Sequence, residues 1–138
     1  TPGTHTGPVW NHHGEDGRFC GLIDPELVRT EIDQAIPCMG TAGSMSFHHV
    51  RALHGSALNT SNRSRNLLLY EVAASDAWPL MGIKDYDEFN TRLLAGPPVS
   101  TPRLTSVPVR MPLPPAARLG SIYETQLGAT KSYFNRAA

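Results

Sequence analysis

The sequence predicts a mainly β fold with one short helix, from its composition and from two strand-like segments. Proline and glycine each occur 12 times in 138 residues, and only 17% of the residues are charged, which favours strands and turns over a helical bundle. Segments 44–54 and 65–73 have the apolar patterns of β-strands, and segment 85–95 has that of a helix. The length and a 40% hydrophobic share suit a single domain.

Composition and charge argue against several classes of protein. The 12 Lys and Arg residues balance 12 Asp and Glu residues, and a neutral chain lacks the positive charge of a nucleic-acid binder. No apolar run reaches the roughly 18 residues that a membrane span needs, and no signal peptide is recognisable. Two cysteines, Cys20 and Cys38, are too few for a disulfide scaffold or a zinc ribbon. We therefore expect a cytoplasmic protein that binds neither nucleic acid nor membrane.

The N-terminal region is polar and rich in glycine over residues 1–23, so we expect loops there. Asp24, Pro25 and Glu26 then follow in the order typical of a helix start, with an N-cap, a proline at the first helical position and an acidic residue in the first turn. This order indicates a short helical segment that begins after Asp24.

Two strands and a connecting loop are predicted in the middle of the chain. The first strand, 44–54, alternates, and the side chains that share one of its faces are Met45, Phe47 and His49. The second strand, 65–73, is apolar on both faces and is therefore expected to be buried. Residues 55–62 between them are turn formers throughout. Together they predict an antiparallel hairpin.

The most regular helix pattern is Asp85–Ala95. Asp85 as N-cap and Glu88 three residues later resemble a capping box, and Gly96 is placed to end the helix. Residues 97–118 contain seven of the 12 prolines and are expected to be extended.

The predicted hairpin carries the residues with the clearest chemistry. A neutral imidazole at His54, where the first strand ends, can bind a divalent metal. Arg65 begins the return strand beside it, and its planar guanidinium can hold a carboxylate through two hydrogen bonds. Ser56 can add a hydroxyl to the same carboxylate. A small ligand with two acidic ends, such as 2-oxoglutarate, could chelate the metal at one end and contact Arg65 at the other.

Two alternatives stand beside this interpretation. Arg63 competes with Arg65 because residues two apart share a strand face, and only the spacing from His54 favours Arg65. His48 and His49 could join His54 in a zinc cluster, but neighbouring strand residues point to opposite faces. His49 is a further candidate for the pocket, where it would contact substrate or a metal ligand.

The chain resembles the phytanoyl-CoA dioxygenase-like family, which uses iron(II) and 2-oxoglutarate. In that family the distal iron-binding histidine begins a His-Gly-Ser-x-x-Asn-x-Ser stretch, and the arginine that binds 2-oxoglutarate follows eleven residues after it. The matching residues are His54, Gly55, Ser56, Asn59, Ser61 and Arg65. The family's Pro-Gly-Ser/Thr-His-x-Gly loop is matched by Pro2, Gly3, Thr4, His5 and Gly7.

The resemblance implies a fold and a site. The fold would be the C-terminal half of a double-stranded β-helix (a cupin-like jelly roll) in one partial domain. Residues 1–80 would form barrel strands with the metal and cosubstrate hairpin, and residues 81–138 a helix and proline-rich wrapping. His54 would bind Fe(II), and Arg65 and Ser56 would bind the cosubstrate. Further possible pocket residues are His49, Asn59 and Trp10.

One departure from the family pattern concerns the other two iron ligands. In the family they come from a His-x-Asp pair that precedes the Pro-Gly-Ser/Thr-His loop, and this sequence begins at that loop. His13-Gly14-Glu15 has a similar form but lies after that position, in a glycine-rich stretch. We therefore expect the chain to be incomplete, with a missing N-terminal half or another chain as partner, and not to be a stable monomer alone.

The resemblance implies an iron(II)- and 2-oxoglutarate-dependent oxygenase that hydroxylates a small-molecule substrate. The alternative is a non-catalytic jelly-roll remnant that serves binding or assembly, which the missing His-x-Asp pair favours. A weaker third interpretation is a zinc-binding cupin-like hydrolase, in which the arginine eleven residues after the histidine has no role.

Overall fold

A computed structural model describes residues 1–127 and 129–132 of this chain. The regular secondary structure of these residues consists of short helices. They are two 3-10 helices, Thr4–Thr6 and Pro25–Val28, and three α-helices, α1 (Arg29–Ile32), α2 (Tyr86–Asn90) and α3 (Ile122–Gln126). The chain divides into two units. The first unit consists of Thr1–Asn62 and the described residues from Val107 onward, and the second is Arg63–Ser106.

The two predicted N-caps are confirmed. The Asp24 side chain accepts a hydrogen bond from the Glu26 backbone N–H at 3.0 Å and starts the 3-10 helix Pro25–Val28, which runs into α1. The Asp85 side chain accepts from the Glu88 N–H at 2.8 Å and starts α2. Both caps are local contacts within three residues, so the sequence is sufficient to predict them.

Helix α2 is shorter than the predicted helix, because it ends at Asn90 and not at Ala95. The apolar residue Leu94, which lies within the predicted helix but after the end of α2, is 87% exposed. A helix of this length depends on packing against an apolar surface, so only the capped turns form where that surface is absent.

Helix α3 was missed by the sequence analysis, although its signal is present. Ser121 and Glu124 form a complete capping box, in which the Ser121 N–H donates to Glu124 Oε2 at 2.7 Å and the Glu124 N–H donates to Ser121 Oγ at 3.3 Å. The Ser-x-x-Glu spacing could have predicted this helix.

The predicted mainly β jelly roll is wrong for the part of the chain that the structure describes. No described residue belongs to a β-strand, and one isolated antiparallel bridge joins His13 and Phe19. Segments 44–54 and 65–73 contain no strand, and residues 44–50 and 65–73 face solvent, with Phe47 89% and Leu68 75% exposed. An alternating pattern produces a strand only where a partner strand satisfies its backbone, and within 65–73 no backbone hydrogen bond is formed.

A tight reversal of residues 12–21 forms the centre of the first unit. The Cys20 N–H donates to the His12 carbonyl at 2.8 Å, and Gly17, at a φ of 75°, allows the turn. The Phe19 N–H donates to the Pro114 carbonyl at 2.9 Å and joins the reversal to the C-terminal segment. The buried apolar residues among the described residues of this unit are Cys20, Pro25, Val28, Leu53 and Ala116.

The second unit has no buried residue among Arg63–Ser106. Its clearest tertiary contact is between Arg103 and Asp76, whose side chains form an ion pair at 2.9 Å and whose backbones form a hydrogen bond at 2.8 Å. Trp78 and Tyr86 contact with ring centroids 6.5 Å apart. A unit held by an exposed ion pair and one ring contact has little apolar burial to stabilise it.

Among the described residues, none of the helices has the length and apolar character needed to span a membrane.

The small core leads to a prediction for thermal unfolding. We expect residues 1–138 alone to unfold over a broad range, with a calorimetric enthalpy well below the about 0.7 kcal/mol per residue of ordinary globular domains. Differential scanning calorimetry at low protein concentration measures this enthalpy. A single sharp transition with the ordinary enthalpy would contradict the expectation.

Candidate functional site

The residues selected from the sequence fall into both units. The first unit contains Trp10, His49, His54, Ser56 and Asn59, and the second contains Arg65. The joint action of His54 and Arg65 on one ligand stays a prediction.

The segment before His54 is fixed against the 3-10 helix Thr4–Thr6. The Leu53 backbone N–H donates to Thr4 Oγ1 at 2.8 Å, and the Leu53 side chain is 9% exposed. The Arg51 guanidinium donates to the Gly7 carbonyl, and the buried Arg51 Nε has no hydrogen-bond partner among the described residues. These contacts hold the chain on the N-terminal side of His54 in place.

The His54 ring is oriented by a backbone carbonyl. Its Nδ1 lies 2.8 Å from the Ala52 carbonyl oxygen, which only accepts, so Nδ1 carries the hydrogen. In the neutral ring the lone pair is then on Nε2, and the side chain is exposed. A histidine whose second nitrogen donates to a carbonyl is the usual arrangement of a metal ligand. Nε2 is therefore the nitrogen of His54 that is available to a metal, and metal binding by His54 stays a prediction.

The adjacent histidines His48 and His49 have different neighbours. The His48 ring lies 4.7 Å from the His54 ring, centroid to centroid, whereas the His49 ring lies 5.5 Å from that of His5. The Arg51 backbone N–H donates to His49 Nδ1 at 3.1 Å, so the neutral His49 ring carries its hydrogen on Nε2. His49 is thereby a hydrogen-bond donor, and its predicted place in a substrate pocket stays a prediction.

A complete iron centre does not fit the residues that the structure describes. A facial triad needs two histidines and one carboxylate, and the described chain contains no group of three or more His, Cys, Asp or Glu side chains placed to hold a metal. His13 is unsuitable because its ring nitrogens contact Asn11 Oδ1 at 2.7 Å and the Leu113 carbonyl at 3.0 Å. The His13–Glu15 pair therefore does not replace the missing ligands.

The loop after His54 has the turn structure that its composition predicts. Asn59 Oδ1 accepts hydrogen bonds from the Ser61 N–H at 3.1 Å and from the Ser61 hydroxyl at 2.7 Å. This is an Asx turn, which fixes the loop locally without a partner strand. Ser56 is exposed in the same loop, so its hydroxyl is accessible to a ligand.

A second group of side chains, around His12, was missed by the sequence analysis. Burial lowers the pKa of His12 below its ordinary value of 6.5, and the nearby His13 acts in the same direction, while a hydrogen bond with the Trp10 backbone opposes them. The Phe19 ring lies 6.4 Å from the His12 ring, centroid to centroid. Sequence spacing gives no sign of this burial, because it depends on the reversal over residues 12–21.

A cleft of about 300 Å³ lies beside this group, at the small end of the range for ligand pockets. Two arginines and two carboxylates line the cleft, so the lining has no net charge that would favour an anion or a cation. The charged lining residues are Asp16, Arg18, Arg118 and Glu124.

Comparison with known proteins identifies the relatives of this chain. The sequence profile of the phytanoyl-CoA dioxygenase family matches residues 1–67. A curated protein of Stutzerimonas stutzeri, named probable alpha-ketoglutarate-dependent hypophosphite dioxygenase, is 35% identical over 140 residues that cover 96% of this chain. The match covers 48% of that protein, so this chain spans about half the length of its relative. No solved structure gives a significant match.

The burial of His12 leads to a prediction for its titration. We expect the His12 imidazole to titrate below 6.5, and the Phe19→Ala substitution to return its pKa toward 6.5 because loss of the neighbouring ring exposes His12 to water. Proton NMR of the imidazole signals across the pH range measures both values. The control is Phe89→Ala in the second unit, which should leave the His12 titration unchanged.

The same shift has a defined effect on stability. The folded reversal prefers neutral His12, so the unfolded chain binds more protons than the folded chain as the pH falls below about 6.5. The contribution of neutral His12 to the free energy of unfolding is therefore complete above that pH. It is lost as the pH falls through the folded-state pKa of His12. A wild-type His12 that titrates at or above 6.5 would contradict this account.

Proposed function

We propose that this chain, whose residues 1–67 match the profile of the phytanoyl-CoA dioxygenase family, carries the 2-oxoglutarate-binding residues and one metal ligand of an iron(II)- and 2-oxoglutarate-dependent dioxygenase. His54 supplies the metal ligand, and Arg65 with Ser56 binds the cosubstrate. When bound, iron and 2-oxoglutarate supply the oxidising chemistry. The residues of this chain bind and orient those groups.

The observation that carries the proposal is the orientation of His54. The hydrogen bond between Nδ1 and the Ala52 carbonyl leaves Nε2 as the free nitrogen, and the anchoring of Leu53 on Thr4 holds the preceding backbone. A ligand that is oriented before the metal binds loses less conformational freedom on binding.

Arg65 is the proposed partner of the distal carboxylate of 2-oxoglutarate. It is exposed, so the dianion can reach it without displacing packed residues. An arginine binds a carboxylate through two parallel hydrogen bonds, which fixes the direction of the ligand as well as its charge. The Ser56 hydroxyl adds a third donor to the same end of the ligand.

For the substrate we propose a small oxyanion, with hypophosphite first, because the relative from Stutzerimonas stutzeri is named for that substrate. The overall reaction would consume hypophosphite, 2-oxoglutarate and O2, and yield phosphite, succinate and CO2. One oxygen atom enters the phosphorus–hydrogen bond and the other enters succinate, so the reaction balances.

A second candidate function is a non-catalytic binding module. The observation that favours it is the lack of a three-ligand metal group among the described residues. Such a module would bind a partner or a carboxylate without turning over 2-oxoglutarate.

Anaerobic titration separates these functions. We expect iron(II) and 2-oxoglutarate together, added to the polypeptide that carries this sequence, to give a metal-to-ligand charge-transfer absorption band. His54→Ala should abolish the band, and Arg65→Ala should weaken the apparent affinity for 2-oxoglutarate by about tenfold or more, because a charge-assisted contact of roughly 1.5–3 kcal/mol is removed. Arg63→Ala is the matched control and should leave the affinity unchanged.

The outcomes of this titration are distinct. A wild-type protein without the band supports the binding module, and an Arg63→Ala effect equal to that of Arg65→Ala would contradict the assignment of the cosubstrate residue.

The substrate is tested separately by phosphorus NMR. We expect hypophosphite to be converted to phosphite only when iron(II), 2-oxoglutarate and O2 are all present, with one succinate formed for each phosphite. Succinate formation that stays at its background rate when hypophosphite is added would exclude this substrate and leave the cosubstrate assignment intact.

A further inference from the structure

A short turn brings together two histidines, one from each side of the turn. The Ala52 N–H donates to the His49 carbonyl at 2.9 Å, which closes a four-residue turn. His48 and His54 flank this turn, and their ring centroids are 4.7 Å apart with the planes tilted by 50°. The turn therefore pairs two imidazoles that are six positions apart in the sequence.

The separation of the two rings matches that of two histidines on one metal ion. Zinc–nitrogen bonds are about 2.0–2.1 Å long, and the centre of an imidazole lies about 1.2 Å behind its ligating nitrogen. Near-tetrahedral angles at the metal then place the two ring centres about 5 Å apart. The 4.7 Å measured between His48 and His54 is close to this value.

The hydrogen bonds also favour this pair. His54 has its hydrogen on Nδ1 and a free lone pair on Nε2, and no described residue forms a hydrogen bond with the His48 ring. Both side chains are exposed, so a hydrated ion can reach them. The His5–His49 pair differs, because the Arg51 N–H donates to His49 Nδ1 and leaves the hydrogen on Nε2.

We propose that His48 and His54 form a two-histidine binding site for a borderline transition-metal ion such as Zn²⁺, with water in the remaining positions. Imidazole nitrogen suits zinc, copper and nickel, and two nitrogen ligands held by one turn bind as a chelate. The site shares His54 with the proposed dioxygenase site but rests on the ring geometry and the hydrogen bonds of the two histidines, and it needs neither iron nor 2-oxoglutarate.

Zinc titration of the full chain tests this site. Isothermal titration calorimetry with Zn²⁺ should give one site per chain, and His48→Ala and His54→Ala should each weaken binding by about tenfold or more through loss of a ligand. His5→Ala is the matched control, because it removes an exposed histidine of the other pair, and should leave the affinity unchanged. Circular dichroism of each variant checks that the fold is kept.

Nitrogen-15 NMR of the imidazoles identifies the bound atoms independently of affinity. On addition of Zn²⁺ we expect a ligation shift at His54 Nε2 and at one nitrogen of His48, while the His5 and His49 signals stay in place. Zinc affinity that is insensitive to His48→Ala would overturn the pair and leave the His54 proposal for iron standing. If both variants weaken zinc binding while the iron and 2-oxoglutarate titration fails, the pair stands and the dioxygenase proposal falls.

Discussion

The site depends on the contact between the segment before His54 and the 3-10 helix Thr4–Thr6. The hydrogen bond from the Leu53 N–H to Thr4 Oγ1 and the burial of the Leu53 side chain join residues far apart in the sequence. Arg51 strengthens the contact by donating to the Gly7 carbonyl. Since the Ala52 carbonyl that orients His54 lies between these anchors, the direction of the proposed metal ligand follows from this contact.

The neutral histidines near this contact carry their ring hydrogen on different nitrogens because their backbone partners differ. An N–H group facing Nδ1 leaves the hydrogen of His49 on Nε2, whereas a carbonyl facing Nδ1 leaves the lone pair of His54 on Nε2, the nitrogen that is proposed to bind a metal. A short turn thus gives different chemistry to residues of the same type within six positions.

The sequence predicted features that depend on neighbouring residues, and it failed for features that depend on residues far apart in the chain. The caps at Asp24 and Asp85 were predicted because they involve only neighbouring residues, and the family was recognised from a local motif around His54. The prediction of strands at 44–54 and 65–73 was wrong because a strand needs a partner strand, and the apolar pattern of one segment does not specify that partner. The burial of His12 likewise required tertiary structure, because it depends on the reversal over residues 12–21.

The proposed function requires His54 and Arg65 to act on one 2-oxoglutarate molecule. A double-mutant cycle on the affinity for 2-oxoglutarate in the presence of iron(II), with His54→Ala, Arg65→Ala and the double variant, tests this requirement. Joint action predicts non-additive effects, with a coupling energy of about 0.5 kcal/mol or more. Effects that add to within about 0.3 kcal/mol would contradict the claim, because independent residues would then bind separate ligands.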